Sequence, residues 1–383
     1  MKVSLCSAFN AEKDGISDYS GYLAKELAKL VDARLVCLEQ FVSEDVFYKK
    51  KADEANQGDI VHIQFNYPYF NGQMPYRNKL LFFLRQIKRP AVLTMHEVRI
   101  GYEPIRSDII TAARRWVFNN TIFFWNFWSR LYHREIFKMV NRIIVHTRDQ
   151  YEMIAPLAKD KGKLIVIPHA IPIIEPDKKN ICHLKAKERL GLNGKTVLSI
   201  FGFINKKKGY ELTLACLKEL PEDVVLLIAG GPMTDNLVDR QYYSFIEKEI
   251  SAAELTKRVK ITGYLYPEDI PEVMAATDIC LAPFSSSSAS GALSLCVAYN
   301  KPIIASDIEG HKEINGRLKC LELFRQGESK DLLDKINGFL LNQNSLSGFV
   351  EAAKAYSNEF SYAKIAERTV MLYREVLAQE SAA

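Results

Sequence analysis

The sequence predicts an α/β protein made of two doubly wound domains, each a parallel sheet covered by helices. Three observations carry this prediction. Short apolar runs alternate with helical patterns from one end of the chain to the other. The runs are near-continuously apolar rather than alternating, as in strands buried on both faces of a parallel sheet. The chain has 383 residues, beyond the roughly 250–300 at which a single core stops growing.

In the first half the strands read KVSLCSA, ARLVCL, DIVHIQF, AVLTMHE, NRIIVHT and KLIVIPHA, with helices such as ISDYSGYLAKELAKL between them. PIIEPDKKN then breaks the pattern with two prolines and a cluster of charge, and reads as a linker. A second series follows as KTVLSIFG, VVLLIAGG, VKITGYL, ICLAPF and PIIASD. The last segment, SYAKIAERTVMLYREVLAQ, is a long amphipathic helix that needs an apolar surface to cover.

The composition, 48% hydrophobic and 25% charged, is that of a folded soluble protein. A net charge of +5 is too mild to argue for nucleic acid, and no nucleic-acid partner is expected. It suits an anionic ligand or an anionic membrane surface. The seven cysteines form no CxxC pair and mostly sit singly in apolar runs, as buried free thiols of a reducing compartment do. MKVSLCSAF reads as a strand and not as a signal peptide, and no apolar run is long enough to span a membrane. The expected location is cytoplasmic, with the inner face of the cytoplasmic membrane as an option.

In doubly wound sheets, ligands bind beyond the carboxyl ends of strands, often at helix N-termini. Gly15 stands where the loop after the first strand enters a helix, so backbone there can approach a ligand, although a plain turn glycine fits as well. FGFINKKKG places Lys206, Lys207 and Lys208 in a glycine-bounded loop before a helix, which suits phosphate or a solvated basic turn. Gly230 and Gly231 close VVLLIAGG, where a flat ring or sugar can pack against the chain, and Tyr264 follows the next strand, placed to flank a base. SSSSASGALSLCVAY is the next strand-to-helix turn. Ser290, Gly291, Ala292 and Leu293 lie at its helix start, where free amides and hydroxyls make an anion seat. An ordinary serine N-cap explains one of these serines, not five. His62, His96, His146 and His169 sit at strand ends without metal-ligand spacing, so no metal is expected. His96 is the best placed of them to donate a hydrogen bond to a substrate hydroxyl.

Together these residues resemble glycosyltransferase family 4, the retaining, group 1-like glycosyltransferases of GT-B fold. DIVHIQF, LTMHEV, RIIVHT, VIPHAI, FGFINKKKG, LLIAGGP, VKITGYL and TDICLAPF fall in that family's order and spacing. The resemblance implies two Rossmann-like domains facing across a cleft. Residues 1–171 with a returning helix at 361–383 would form the acceptor side, and 172–360 the donor domain. It also implies transfer of a sugar from a nucleotide-diphosphate sugar, the co-substrate, to a glycan or lipid-linked acceptor in cell-surface polysaccharide assembly. Retention at the anomeric carbon, no metal and no cofactor are implied as well. Gly15 would face the donor diphosphate, Lys208 would neutralise it, and His96 would lie by the donor sugar as the catalytic residue.

Two positions depart from the family. An arginine normally follows the glycine of the loop that ends in Lys-Gly, and here Phe203 stands there. Two glutamates separated by seven residues are also usual, and their places are taken by Ser287 and Leu295. Ribose recognition and sugar positioning must therefore differ or be absent. Two other readings stay open for that reason: a catalytically inactive nucleotide- or glycan-binding partner, and a nucleotide-sugar epimerase.

ARRWVFNNTIFFWNFWSRLYHREIFKM holds all three tryptophans. Arg114, Arg115, Arg130, Arg134 and Lys138 flank an uncharged stretch of about 14 residues, too short to cross a bilayer. A helix lying in the membrane interface fits this pattern, with Trp125 and Trp128 on the acceptor or membrane side. A helix packed on the sheet or in a subunit interface fits it too.

Overall fold

The computed structural model describes residues 1–9, 14–102, 112–233, 237–286, 290–342 and 346–382. Ser287 and the Arg114 side chain lie outside the described residues. The chain divides into two compact units, Met1–Ala170 with Tyr362–Ala383, and Ile171–Ser361.

Unit 1 holds one parallel sheet of Lys2–Ser7 (β1), Asp32–Cys37 (β2), Ile60–Phe65 (β3), Ala91–Met95 (β4), Arg142–Val145 (β5) and Leu164–Val166 (β6). Its order is β2-β1-β3-β4-β5-β6, so the winding reverses between β1 and β3. Every residue of β3 and β4 is buried, which is why these segments read as unbroken apolar runs. The terminal helix Tyr362–Ala382 belongs to this unit. It buries Ile365, Ala366, Val370, Tyr373 and Val376, an apolar stripe at helical spacing.

Unit 2 holds a second parallel sheet of Thr196–Phe201 (β7), Val224–Ala229 (β8), Val259–Ile261 (β9), Ile279–Ala282 (β10), Ile303–Ser306 (β11) and Glu322–Phe324 (β12). Its order is β12-β11-β10-β7-β8-β9. The reversal falls between β7 and β10, where Ile279 pairs with Leu198 and Cys280 with Ser199. The expected α/β class with two doubly wound sheets is therefore the observed one.

Two local expectations differ from the structure. The proline-rich stretch expected to be a linker carries a turn of helix, Pro176–Lys179, and Lys179 Nζ donates to Ala298 O at 2.8 Å. Proline at the first helical position supplies the required φ and lacks only an N–H that would be unpaired there anyway. The strand β12 is not among the expected ones, because Glu322–Phe324 begins with a charged residue and buries only Phe324, so it shows no apolar run. Five of the seven cysteines are buried, while Cys37 and Cys182 are exposed, and all seven are free.

Candidate functional site

The strand order of unit 2 directs attention to the carboxyl ends of β7 and β10, since a ligand crevice opens where winding reverses. The loops leaving these strands are joined closely. Gly209 has φ +69°, and a Cβ there would lie 2.1 Å from Pro283 O. Only glycine allows both the left-handed backbone and that approach. Beside it, Ser285 N donates to Lys207 O at 2.9 Å.

Between these loops lies the Lys208 ammonium, 3.9 Å from the centre of the Phe284 ring. It donates to Phe201 O at 3.1 Å. No carboxylate among the described residues forms an ion pair with it. Burial, which disfavours the charged form, pulls its pKa down to about 8. The ammonium therefore gains from an anion. Lys206 and Lys207 are exposed, so Lys208 alone of the three lysines enters the fold.

Helix Gly291–Ala298 starts at the same place, and a Cβ on Gly202 would lie 3.0 Å from Ala292 Cβ and 3.3 Å from Lys208 Nζ. Gly202, Lys208 and Ala292 thus converge. Ser290 is the N-cap, and its hydroxyl accepts from Leu293 N at 3.2 Å. That uses up Leu293 N, so the anion seat expected over residues 290–293 narrows to the amides of Gly291 and Ala292. These two have no hydrogen-bond partner among the described residues.

Gly230 and Gly231 have a reason within the protein. A Cβ on Gly230 would meet Gly202 O at 2.2 Å, and one on Gly231 would meet Tyr264 N at 2.9 Å. Glycine here lets the loops after β7, β8 and β9 pack together, with Ile204 N donating to Gly231 O at 2.9 Å. The Phe203 ring stacks on Tyr264 with centroids 6.0 Å apart, and Tyr266 meets Tyr264 edge-on. Leu295 is half-buried.

In unit 1, Gly15 is exposed and a Cβ there would touch nothing within 4 Å. The helix it begins is capped by Asp14, which accepts from Ile16 N at 3.0 Å and Ser17 N at 3.4 Å. Asp14 also accepts from Tyr69 Oη and Gln40 Nε2. A carboxylate thus already occupies this helix N-terminus.

His96 is 8% exposed, and both ring nitrogens are engaged, Nε2 with Gln64 Oε1 at 2.7 Å and Nδ1 with His146 Nε2 at 3.1 Å. His146 continues to Ile167 O at 2.9 Å. On the other side Gln64 Nε2 reaches His62, which pairs with Thr94 and with the Tyr373 hydroxyl. Burial holds these imidazoles neutral, with pKa values lowered to about 3 for His62 and about 4 for His146, and His96 well below its usual value. A hydrogen bond from His96 to a substrate requires Gln64 or His146 to release it. No group of three or more His, Cys, Asp or Glu among the described residues is arranged to hold a metal ion.

The tryptophan-rich segment forms one helix, Ala112–Met139. Trp116, Phe123, Phe124, Phe127 and Trp128 are exposed, Phe123 by 83%. Trp125 is half-buried against Tyr76, and its Nε1 donates to Thr121 Oγ1 at 3.1 Å. The fully buried side chains among those described are Ser129, Tyr132, His133, Ile136 and Phe137, so the C-terminal part of this helix is the part packed most deeply into the unit. No helix of the described residues is long and apolar enough to cross a membrane.

Two sheets of this order, each with its loops at the carboxyl ends, define the GT-B fold. Solved structures share it. A TM-score of 0.73 relates the chain to the Anabaena HepE protein in complex with UDP and glucose, at 16% identity over 98% of this chain and 100% of that one. One of 0.74 relates it to sucrose-phosphate synthase from Thermosynechococcus elongatus, at 16% identity over 99% of each chain. Residues 184–356 match the family described as glycosyl transferases group 1. Among curated proteins, the chain is 22% identical to a 2-deoxystreptamine glucosyltransferase of Streptomyces kanamyceticus, over 77% of this chain and 73% of the relative.

Sequence reasoning missed Phe284 and His311. Phe284 closes the run ICLAPF just before the serines, so its position was the available signal. His311 gave none, because only the fold brings its ring to 5.6 Å from that of Phe284.

Proposed function

We propose that this protein is a retaining, metal-independent glycosyltransferase that moves a sugar from a nucleotide-diphosphate donor to a glycan or lipid-linked acceptor. The observation that carries the reading is the convergence of Lys208, Gly202 and the amides of Gly291 and Ala292, which have no partner among the described residues, at the switch point of the second sheet. A diphosphate placed there gains an ammonium and two aimed N–H groups. These stabilise the charge that builds on the leaving group as the glycosidic bond breaks. The donor phosphate takes the acceptor proton on the same face, so no protein nucleophile is required. His96 offers a hydrogen bond to a sugar hydroxyl by exchanging its Gln64 partner. Tyr264 and the backbone at Gly231 flank the base.

Incubation with UDP-, GDP-, ADP- and dTDP-sugars and the acceptor classes below tests the activity, with the product anomer read by NMR. Transfer or slow donor hydrolysis, with the anomeric configuration kept, is expected. Epimerised donor would replace this reading with an epimerase. Binding without turnover would replace it with a nucleotide-binding partner, the alternative favoured by the apolar Leu295 in the place of a glutamate.

For the acceptor, the exposed aromatic face of Ala112–Met139 favours a lipid-linked molecule used in cell-surface polysaccharide assembly. Arg130 and Arg134 are exposed beside it, and Glu135 is the one acidic residue of the helix. Aromatic rings with cations at their edge suit an anionic headgroup boundary. Cosedimentation with anionic vesicles, lost when Phe123, Trp125 and Trp128 become Ser, is the expected result. Unchanged cosedimentation would remove the membrane contact. A small molecule such as 2-deoxystreptamine, which the name of the Streptomyces relative gives, would then be the better choice.

A further inference from the structure

We propose that Phe284 is a positioning residue for Lys208, holding its ammonium on an aromatic face at the switch point so that a donor diphosphate meets a preset cation. The inference rests on the donor-site reading above.

The Lys208 Nζ stands 3.9 Å from the Phe284 ring centre, inside the range where the negative face of a ring attracts a cation. With one hydrogen bond to Phe201 O, the ammonium keeps donors for a phosphate while the ring offsets part of its lost hydration. The ring is itself held on several sides. Ser306 Oγ donates to Phe284 O at 2.6 Å. Pro283, the preceding residue, is wedged against Gly209. His311, 2% exposed, packs its ring against Phe284 and donates from Nδ1 to Ser306 O at 2.8 Å. A carbonyl oxygen only accepts, so Nδ1 carries the proton. Nε2 is buried with no partner among the described residues, and burial, which lowers the pKa to about 4, keeps the imidazole neutral. A charged His311 would repel Lys208, whereas a neutral one backs the ring without that cost.

The titratable groups facing Lys208 are Cys296 from helix Gly291–Ala298 and His311 from helix Glu309–Arg317. Cys296 holds its proton, its pKa raised chiefly by its bond with Cys280 and by burial. Lys208 is therefore the group among these that gains or loses a proton near pH 8. Removing the ring favours its neutral form and lowers the pH at which it is lost as an anion ligand.

Calorimetric titration with UDP, GDP and ADP between pH 6.5 and 9.5 tests the proposal on Phe284→Leu, Phe284→Tyr, Lys208→Met and the Phe284→Leu/Lys208→Met double variant. Thermal unfolding checks that each is folded. Phe284→Leu is expected to weaken binding about fivefold and to move its alkaline loss to lower pH, and Phe284→Tyr to stay within about twofold. In the Lys208→Met background, Phe284→Leu is expected to add nothing. Unchanged binding by Phe284→Leu would overturn the proposal. So would a fivefold loss that persists without Lys208, or a Phe284→Tyr variant as weak as Phe284→Leu. If Lys208→Met binds like the unaltered protein, or no diphosphate binds, the donor-site reading itself fails, and this proposal with it.

Discussion

The ammonium of Lys208 lies 3.9 Å above the ring of Phe284, and no carboxylate among the described residues pairs with it. A cation held on carbon and one carbonyl is under-compensated. It supports the proposed anion site at the second unit's switch point more strongly than the neighbouring serines do.

The close packing of the loops around that cation makes Gly209 a sensitive position. Gly209→Ala would put a methyl 2.1 Å from Pro283 O on a backbone at φ +69°. The expected cost is about 2–4 kcal/mol of unfolding free energy, from left-handed strain plus displacement of a backbone carbonyl. Urea titration reads it. A change below about 0.5 kcal/mol would mean that the two loops part easily.

Phe203 stands where the resemblance expects an arginine, half-buried and stacked on Tyr264. Phe203→Arg is expected to tighten binding of a nucleoside diphosphate about tenfold, roughly 1.4 kcal/mol, by adding a charge-assisted contact. Calorimetry at fixed ionic strength measures this. Weaker binding would instead give the Phe203–Tyr264 stack a direct part in holding the ligand.

The imidazoles of unit 1 predict acid lability. His62 and His146 are neutral when folded, with pKa values lowered to about 3 and about 4 by burial, and protonate near 6.5 when unfolded. The unfolded chain then binds more protons, so stability is full above about pH 7 and falls as pH drops from 6.5 toward 4. Each contributes about 1.4 kcal/mol per pH unit within that window. Denaturant midpoints at pH 7.5 and 5.0 check the slope, and a flat profile would contradict buried neutral histidines.

The α/β class was legible because strands buried on both faces read as apolar runs, as β3 and β8 do. Strand order was not, because nothing in the period of β7 or β10 says that they are neighbours. The switch point, and with it the pairing of Lys208 with Phe284, became visible only once the sheet was assembled. Lys208 stood out in sequence as the last lysine before a glycine, but so did two solvated neighbours. Gly230 and Gly231 read as openings for a ligand, while their missing side chains make room for Gly202 O and Tyr264 N. A sequence records that a side chain is absent without recording what fills the space. Ser290 was correctly placed at a helix start, yet its hydroxyl caps Leu293 N, which reduces the predicted seat to two amides.

A crystal structure soaked with UDP, GDP and ADP tests the central claim most directly. The account predicts that the diphosphate lies at the carboxyl ends of β7 and β10, with phosphate oxygens within about 3 Å of Lys208 Nζ and of the Gly291 and Ala292 amides. A diphosphate bound elsewhere, with Lys208 still resting on Phe284 and Phe201 O alone, would contradict it.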